Sequence, residues 1–233
     1  MIVAWPCSDH KASGRDGPGR DRPVEEFAAA IDRNRRHRLL IVPPLLAEMN
    51  RTRRLLVSTM RALDGHGIDS FLPDLPGTNE SLQPFFGQSL HGWRQAMARA
   101  ARHFAASHVL AVRGGALIFP NALPGWVLEP VSGPAILRQM VRARVIAARE
   151  AGRHEDSAAL IDTGRTEGIM LAGYDFGPAL IAGLESARPL DEGQREIRQS
   201  ELGGPALWLR AEPGDDPAQA ARLAGVIAAE ITA

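Results

Sequence analysis

Short unbroken apolar runs alternate with stretches of helical periodicity through the middle of this chain, and that alternation leaves few folds open. Arg38 to Val42, RLLIV, lacks the polar break at every second residue that marks a half-exposed strand. It reads instead as a strand covered on both faces, ended abruptly by Pro43 and Pro44. From Ala47 to Leu63 the apolar residues Met49, Leu56, Met60 and Leu63 recur at helical spacing, and Gly65 or Gly67 can cap the end. Ile68 to Leu72 is then a second strand, which closes a strand-helix-strand unit of the length a parallel crossover needs. A turn-rich segment follows from Pro73 to Leu82, then a helix from Leu90 to Ala106 and a strand from His108 to Arg113. Pro120 and Pro124 limit the next helix to about one and a half turns. Trp126 to Glu129 resumes a strand, and Pro134 to Arg149 is another helix. The pattern predicts an α/β chain with a mostly parallel, right-handed crossover sheet and helices on both faces.

The flanks carry weaker signals. DHKASGRDGPGRDRP, Asp9 to Pro23, is rich in Gly, Pro and charge, so residues 1–23 are expected to form a mobile arm or irregular loop ahead of a single domain, 24–233. Val24 to Arg36 suits a short helix with Phe27 and Ile31 on one face. A polar loop is expected from Ala151 to Glu167, a strand from Gly168 to Phe176 and a helix from Gly177 to Ala187, opened by Pro178. Pro205 to Arg210 is a last strand candidate, and Asp216 to Glu230 a closing amphipathic helix.

With 233 residues, a net charge of zero and 45% hydrophobic residues, the chain can bury one sizeable core, and its overall charge gives no pull toward nucleic acid. The single cysteine, Cys7, excludes an internal disulfide and suits a reducing cytoplasm. MIVAWPC is too short for the apolar part of a signal peptide, and no run is long enough to span a membrane. Dinucleotide, P-loop and zinc-protease motifs are missing, so no cofactor and no metal is expected.

The segment HVLAVRGGALI, His108 to Ile118, has the layout of a nucleophile elbow, a strand turning sharply into a helix. Such an elbow normally reads Gly-x-Ser-x-Gly, because small residues let the chain turn tightly beneath an exposed nucleophile. Here the five positions are Ala111, Val112, Arg113, Gly114 and Gly115, with an arginine at the nucleophile's place. A serine triad also needs a histidine late in the chain, after the nucleophile and the acid. The histidines are His10, His37, His66, His91, His103, His108 and His154, and none follows His154.

Five segments carry a resemblance. PPLLAEMNRTRR (Pro43 to Arg54), FLPDLPGTNES (Phe71 to Ser81), VRGGALI (Val112 to Ile118), LEPVSG (Leu128 to Gly133) and LAGYDFGPAL (Leu171 to Leu180) occur in one order across residues 43–180. They resemble the α/β-hydrolase superfamily and, within it, the exosortase A system-associated hydrolases of the second type. The resemblance implies a three-layer α/β-hydrolase-like fold with a mostly parallel central sheet. It also implies a hydrolase group found with exosortase, protein-sorting and exopolysaccharide machinery, in which the second type tends to lack the elbow serine. A protein partner from such a system follows from the same resemblance.

Individual residues leave alternatives open. Ser132 lies just past a strand end, where it can act as a substitute nucleophile with Glu129 orienting a water, or it can cap the helix that Pro134 opens. Arg113 can present its planar fork to a small carboxylate, phosphate or ester ligand, or pair internally with Glu48 or Asp74. Glu48 and Asn50 stand where the superfamily builds its oxyanion loop, though either can cap the following helix. Asp74 reads as a turn carboxylate satisfying local N–H groups, or as a base or metal ligand. The run Arg33, Arg35, Arg36 and Arg38 and the series Arg138, Arg142, Arg144 and Arg149 are either solvated helix faces or contacts for acidic partners and lipid headgroups. Two functions from different classes follow: a non-catalytic binding or accessory protein, and an esterase or thioesterase using Ser132.

Overall fold

The computed structural model describes residues 1–11, 23–120, 123–189 and 193–231. Alternate residues of its central strands belong to different hydrophobic cores, which fixes the layering. In β3 (Arg38–Val42), Leu40 and Val42 join one core while Leu39 and Ile41 join the other. In β5 (His108–Val112) the split is Val109 and Ala111 against Leu110 and Val112. A strand with period-2 side chains and no polar face is stable only between two apolar layers. One layer consists of α1 (Ala47–Gly65), carrying Leu56, Met60 and Leu63, and α7 (Pro217–Ile231), carrying Leu223, Ile227 and Ile231. The other is built on α2 (Leu90–His103), α3 (Gly133–Glu150) and α5 (Pro178–Ser186).

Among the described residues the main sheet has seven strands. Its order is β1 (Ile2–Lys11), β2 (Pro23–Ile31), β4 (Asp69–Pro73), β3, β5, β6 (Gly125–Leu128) and β9 (Arg195–Ile197). The pairs β1–β2 and β2–β4 are antiparallel, and every pair from β4 to β9 is parallel. Because β3, β5 and β6 pair in parallel, their carboxyl ends lie at one edge, where open α/β sheets keep their sites.

Several expectations need correction. Val24 to Arg36 is not a helix: VEEFAAAI lies in β2, with Glu26, Ala28 and Ala30 turned inward and Phe27 outward, 43% exposed. Pairing with β4 from Ala28↔Pro73 to Ile31↔Ser70 outweighs the helical preference of the alanines. The start of the expected arm is strand β1, whose Trp5 is fully buried and donates from Nε1 to Phe27 O at 3.2 Å. The rest of that arm, residues 12–22, lies outside the described residues.

The expected loop from Ala151 to Glu167 contains α4 (Ser157–Thr166), capped by Asp156, whose carboxylate accepts from Ala158 N and Ala159 N. Gly168 to Phe176 is a hairpin, β7 (Ile169–Leu171) and β8 (Tyr174–Phe176), separate from the main sheet. It turns at Ala172 (φ 48°) and Gly173 (φ 87°), the left-handed pair a two-residue hairpin requires. Pro205 to Arg210 holds only a short 3₁₀ turn, Leu207–Leu209, and the last strand is β9 instead.

Of the arginine run near residue 35, Arg33, Arg35 and Arg36 lie in the loop between β2 and β3 and Arg38 opens β3, so none stands on a helix face. Asp69, fully buried, accepts from Arg33 N, Arg35 N and Arg38 Nη1 at 3.0, 2.8 and 3.1 Å. Arg38 also grips Asp32, and Arg33 grips Asp64. This clasp closes the edge of the sheet opposite the candidate site. Among the described residues no helix is long and apolar enough to cross a membrane.

Candidate functional site

Three loops leave the carboxyl edge of the sheet through a residue in the left-handed region: Leu46 after β3 (φ 59°), Arg113 after β5 (φ 53°) and Glu129 after β6 (φ 45°). Non-glycine residues rarely adopt this backbone, and such outliers gather where structure over-determines a site. At Arg113 it reproduces the sharp turn of an elbow, followed by a short 3₁₀ helix from Arg113 to Ile118. The small residues behind the turn are sterically required. A Cβ on Gly115 would lie 2.5 Å from Pro43 O and 2.8 Å from Val42 O, and one on Gly114 would press on Ile136 and Leu45.

The arginine is held from every side. Its Nε and Nη2 donate to the two carboxylate oxygens of Glu48 at 3.0 and 3.3 Å, and Nη1 donates to Glu129 O at 2.9 Å. The guanidinium also sits 4.8 Å from the ring centre of Trp208. Both charged side chains are only 14% exposed. The planar fork therefore reads an internal carboxylate, with a main-chain carbonyl and an aromatic face completing its surroundings. Sequence reasoning missed Trp208, because PALWLR looked like a strand. Arg51 Nη1 donates to Trp208 O at 3.2 Å and ties that turn to α1.

The other expected residues take different positions. Helix α1 begins at Ala47, with Leu46 as its N-cap, so neither Glu48 nor Asn50 caps it; Glu48 lies in the first turn, where its charge suits the helix dipole. Asn50 is exposed and lines a neighbouring cleft of about 410 Å³ with Met49, Thr78, Phe85 and Tyr174. Glu129 turns its carboxylate to Gln199 N at 2.7 Å, holding the start of α6 (Gln199–Leu202).

Ser132 is the N-cap of α3 by position, but its side chain makes no capping hydrogen bond. The next residue, Gly133, packs so closely on α5 that a Cβ would meet Leu184 O at 2.2 Å. Asp74, 3% exposed, accepts from the side chains of Arg53 and Asn79; among the described residues no local backbone N–H donates to its carboxylate, which departs from its reading as a carboxylate satisfying the turn's N–H groups.

Among the described residues, histidines do not converge here. His37 and His108 face each other at 6.4 Å beside the starts of β3 and β5, at the opposite edge. Burial, with His37 nearby, lowers the pKa of His108. His66 and His103 lie at the far ends of α1 and α2, His91 is exposed and hydrogen-bonded to Gln95, and His154 is exposed. Among the described residues, no histidine is hydrogen-bonded to Ser132. The cavity beside the elbow, lined by Leu46, Glu48, Gly114, Ile136 and Met140, holds about 110 Å³. Ligand pockets usually hold about 300–1,000 Å³.

No protein-family model matches the chain, and no curated protein sequence matches it significantly. Solved structures do resemble it. One, described as a hydrolase of Agrobacterium vitis S4, has a TM-score of 0.54 at 12% identity, covering 85% of this chain and 78% of its own. Est1E of Butyrivibrio proteoclasticus, solved with ferulic acid bound, has a TM-score of 0.50 at 14% identity, covering 71% and 68%. At such identities the likeness is one of fold. With the mostly parallel sheet, the two helical layers and the elbow after β5, it makes this an α/β-hydrolase-fold chain.

Proposed function

We propose that this chain is a non-catalytic binding or accessory protein on an α/β-hydrolase fold, serving an exosortase or exopolysaccharide-associated system. The observation that carries the proposal is the pairing of Arg113 with Glu48 at the elbow. A nucleophile must stand free above the sheet edge with a base within hydrogen-bond reach. Here that place is filled by a cation whose fork already holds a carboxylate. A small carboxylate or phosphate ligand would have to displace Glu48 from that fork. The system is supported by the five sequence motifs, whose resemblance is to a type that tends to lack the serine.

The rival reading, an esterase or thioesterase using Ser132, predicts a serine activated toward phosphonylation. Labelling the folded protein with a fluorophosphonate probe, beside a Ser132→Ala variant and a heat-denatured control, separates the two. The proposal predicts no labelling of the folded protein. Labelling that vanishes in Ser132→Ala would establish a nucleophile and overturn it.

A further inference from the structure

Helix α3 presents two different apolar rows. Ile136 and Met140 face the elbow cavity, whereas Leu137, Val141 and Val145, spaced four residues apart, line a separate open groove of about 730 Å³. The opposite wall is formed by Ile161 of α4 and by α5, and Ile146 at the rim is 47% exposed. The volume lies in the range of small-molecule sites.

The groove also has a polarity. Arg138 and Arg142 stand on successive turns of α3 along one rim, both exposed, and neither has a hydrogen bond or ion pair among the described residues. Neighbouring arginines behave differently: Arg144 pairs with Glu155, and Arg165 pairs with Glu185, the one carboxylate among the described residues that line the groove. Two free guanidiniums thus border an apolar trough whose own acid is already neutralised. A chain with apolar length and an anionic end complements both features at once.

We infer that the groove between α3, α4 and α5 binds a single-chain anionic amphiphile, with the hydrocarbon along Leu137, Val141, Val145 and Ile161 and a carboxylate or phosphate head between Arg138 and Arg142. The side chains that bind are distinct from Ile136 and Met140, which line the elbow cavity, although Gln139 borders both spaces.

The test is calorimetric titration of the full chain with octanoate, decanoate and dodecanoate, and with decyl phosphate, each below its micelle concentration. Affinity is expected to rise about fourfold per added methylene. It should fall about tenfold or more in an Arg138→Gln, Arg142→Gln double variant, which removes two charge-assisted contacts and touches no buried group. Decanol should bind weaker than decanoate by a similar factor. Carboxylate and phosphate heads are separated by comparing decanoate with decyl phosphate. Equal affinity in the double variant, or no dependence on chain length, would overturn the inference. Binding to anionic vesicles without binding of the monomers would also overturn it and identify a membrane-facing surface.

Discussion

At the scale of single residues, the elbow keeps the backbone of a catalytic turn while changing what stands on it. Gly115 shows how strictly the turn is specified, because its neighbours are carbonyl oxygens of β3 and the residue after it, which cannot move aside as a side chain can. Gly115→Ala is expected to cost about 1–3 kcal/mol through forced backbone shifts. Chemical unfolding measures this directly, and a neutral substitution would show that the turn is looser than described. Arg113 in a left-handed conformation adds strain that a hydrolase tolerates for reactivity. Here the compensation is visible as hydrogen bonds to Glu48 and Glu129 O and the stack on Trp208.

At the scale of elements, the clasp at the far edge of the sheet gives a pH-dependent contribution. Hydrogen bonding to Arg38 holds the Asp32 carboxyl down at about 2, and hydrogen bonds from Arg33 and then Arg35 do the same for Asp64. Folding depresses both values, so the stability they add is complete above the ordinary carboxylate value of 3.8 and is lost as pH falls through about 2. Urea unfolding of the wild type and Arg38→Gln at fixed ionic strength, from about pH 5 to pH 2, should show a shallower acid decline in the variant. Parallel curves would remove the clasp from the account.

The sequence revealed the doubly covered strands most clearly. RLLIV was expected as Arg38–Val42 and is β3 over those residues, because the unbroken apolar stretch from Leu39 to Val42, bounded by proline, admits little else. The expectation failed where pattern and context compete. The alanines of β2 have no strand signal until β4 is beside them. The three-residue β9, REI, is too short and polar to announce itself. In the site, the loss of the elbow serine and the want of a late histidine were legible, and Glu48 stood among the two partners considered for Arg113. Trp208 was not, because a contact across 95 positions of sequence leaves no local periodicity to read.

At the scale of the whole molecule, the parallel sheet delivers three loop ends to one edge, and Arg113 ties them together: Glu48 follows β3, Arg113 follows β5 and Glu129 follows β6. The same convergence that assembles a triad in a hydrolase assembles an internal ion pair here. The account therefore turns on whether Arg113 and Glu48 act as a coupled pair, which a double-mutant cycle of Arg113→Met, Glu48→Gln and their combination measures by chemical unfolding. Contacting charged residues in one hydrogen-bonded network should show a favourable coupling of about 1–3 kcal/mol. Additive single effects, with coupling near zero, would mean that Arg113 is free at the elbow and would contradict the closed site described above.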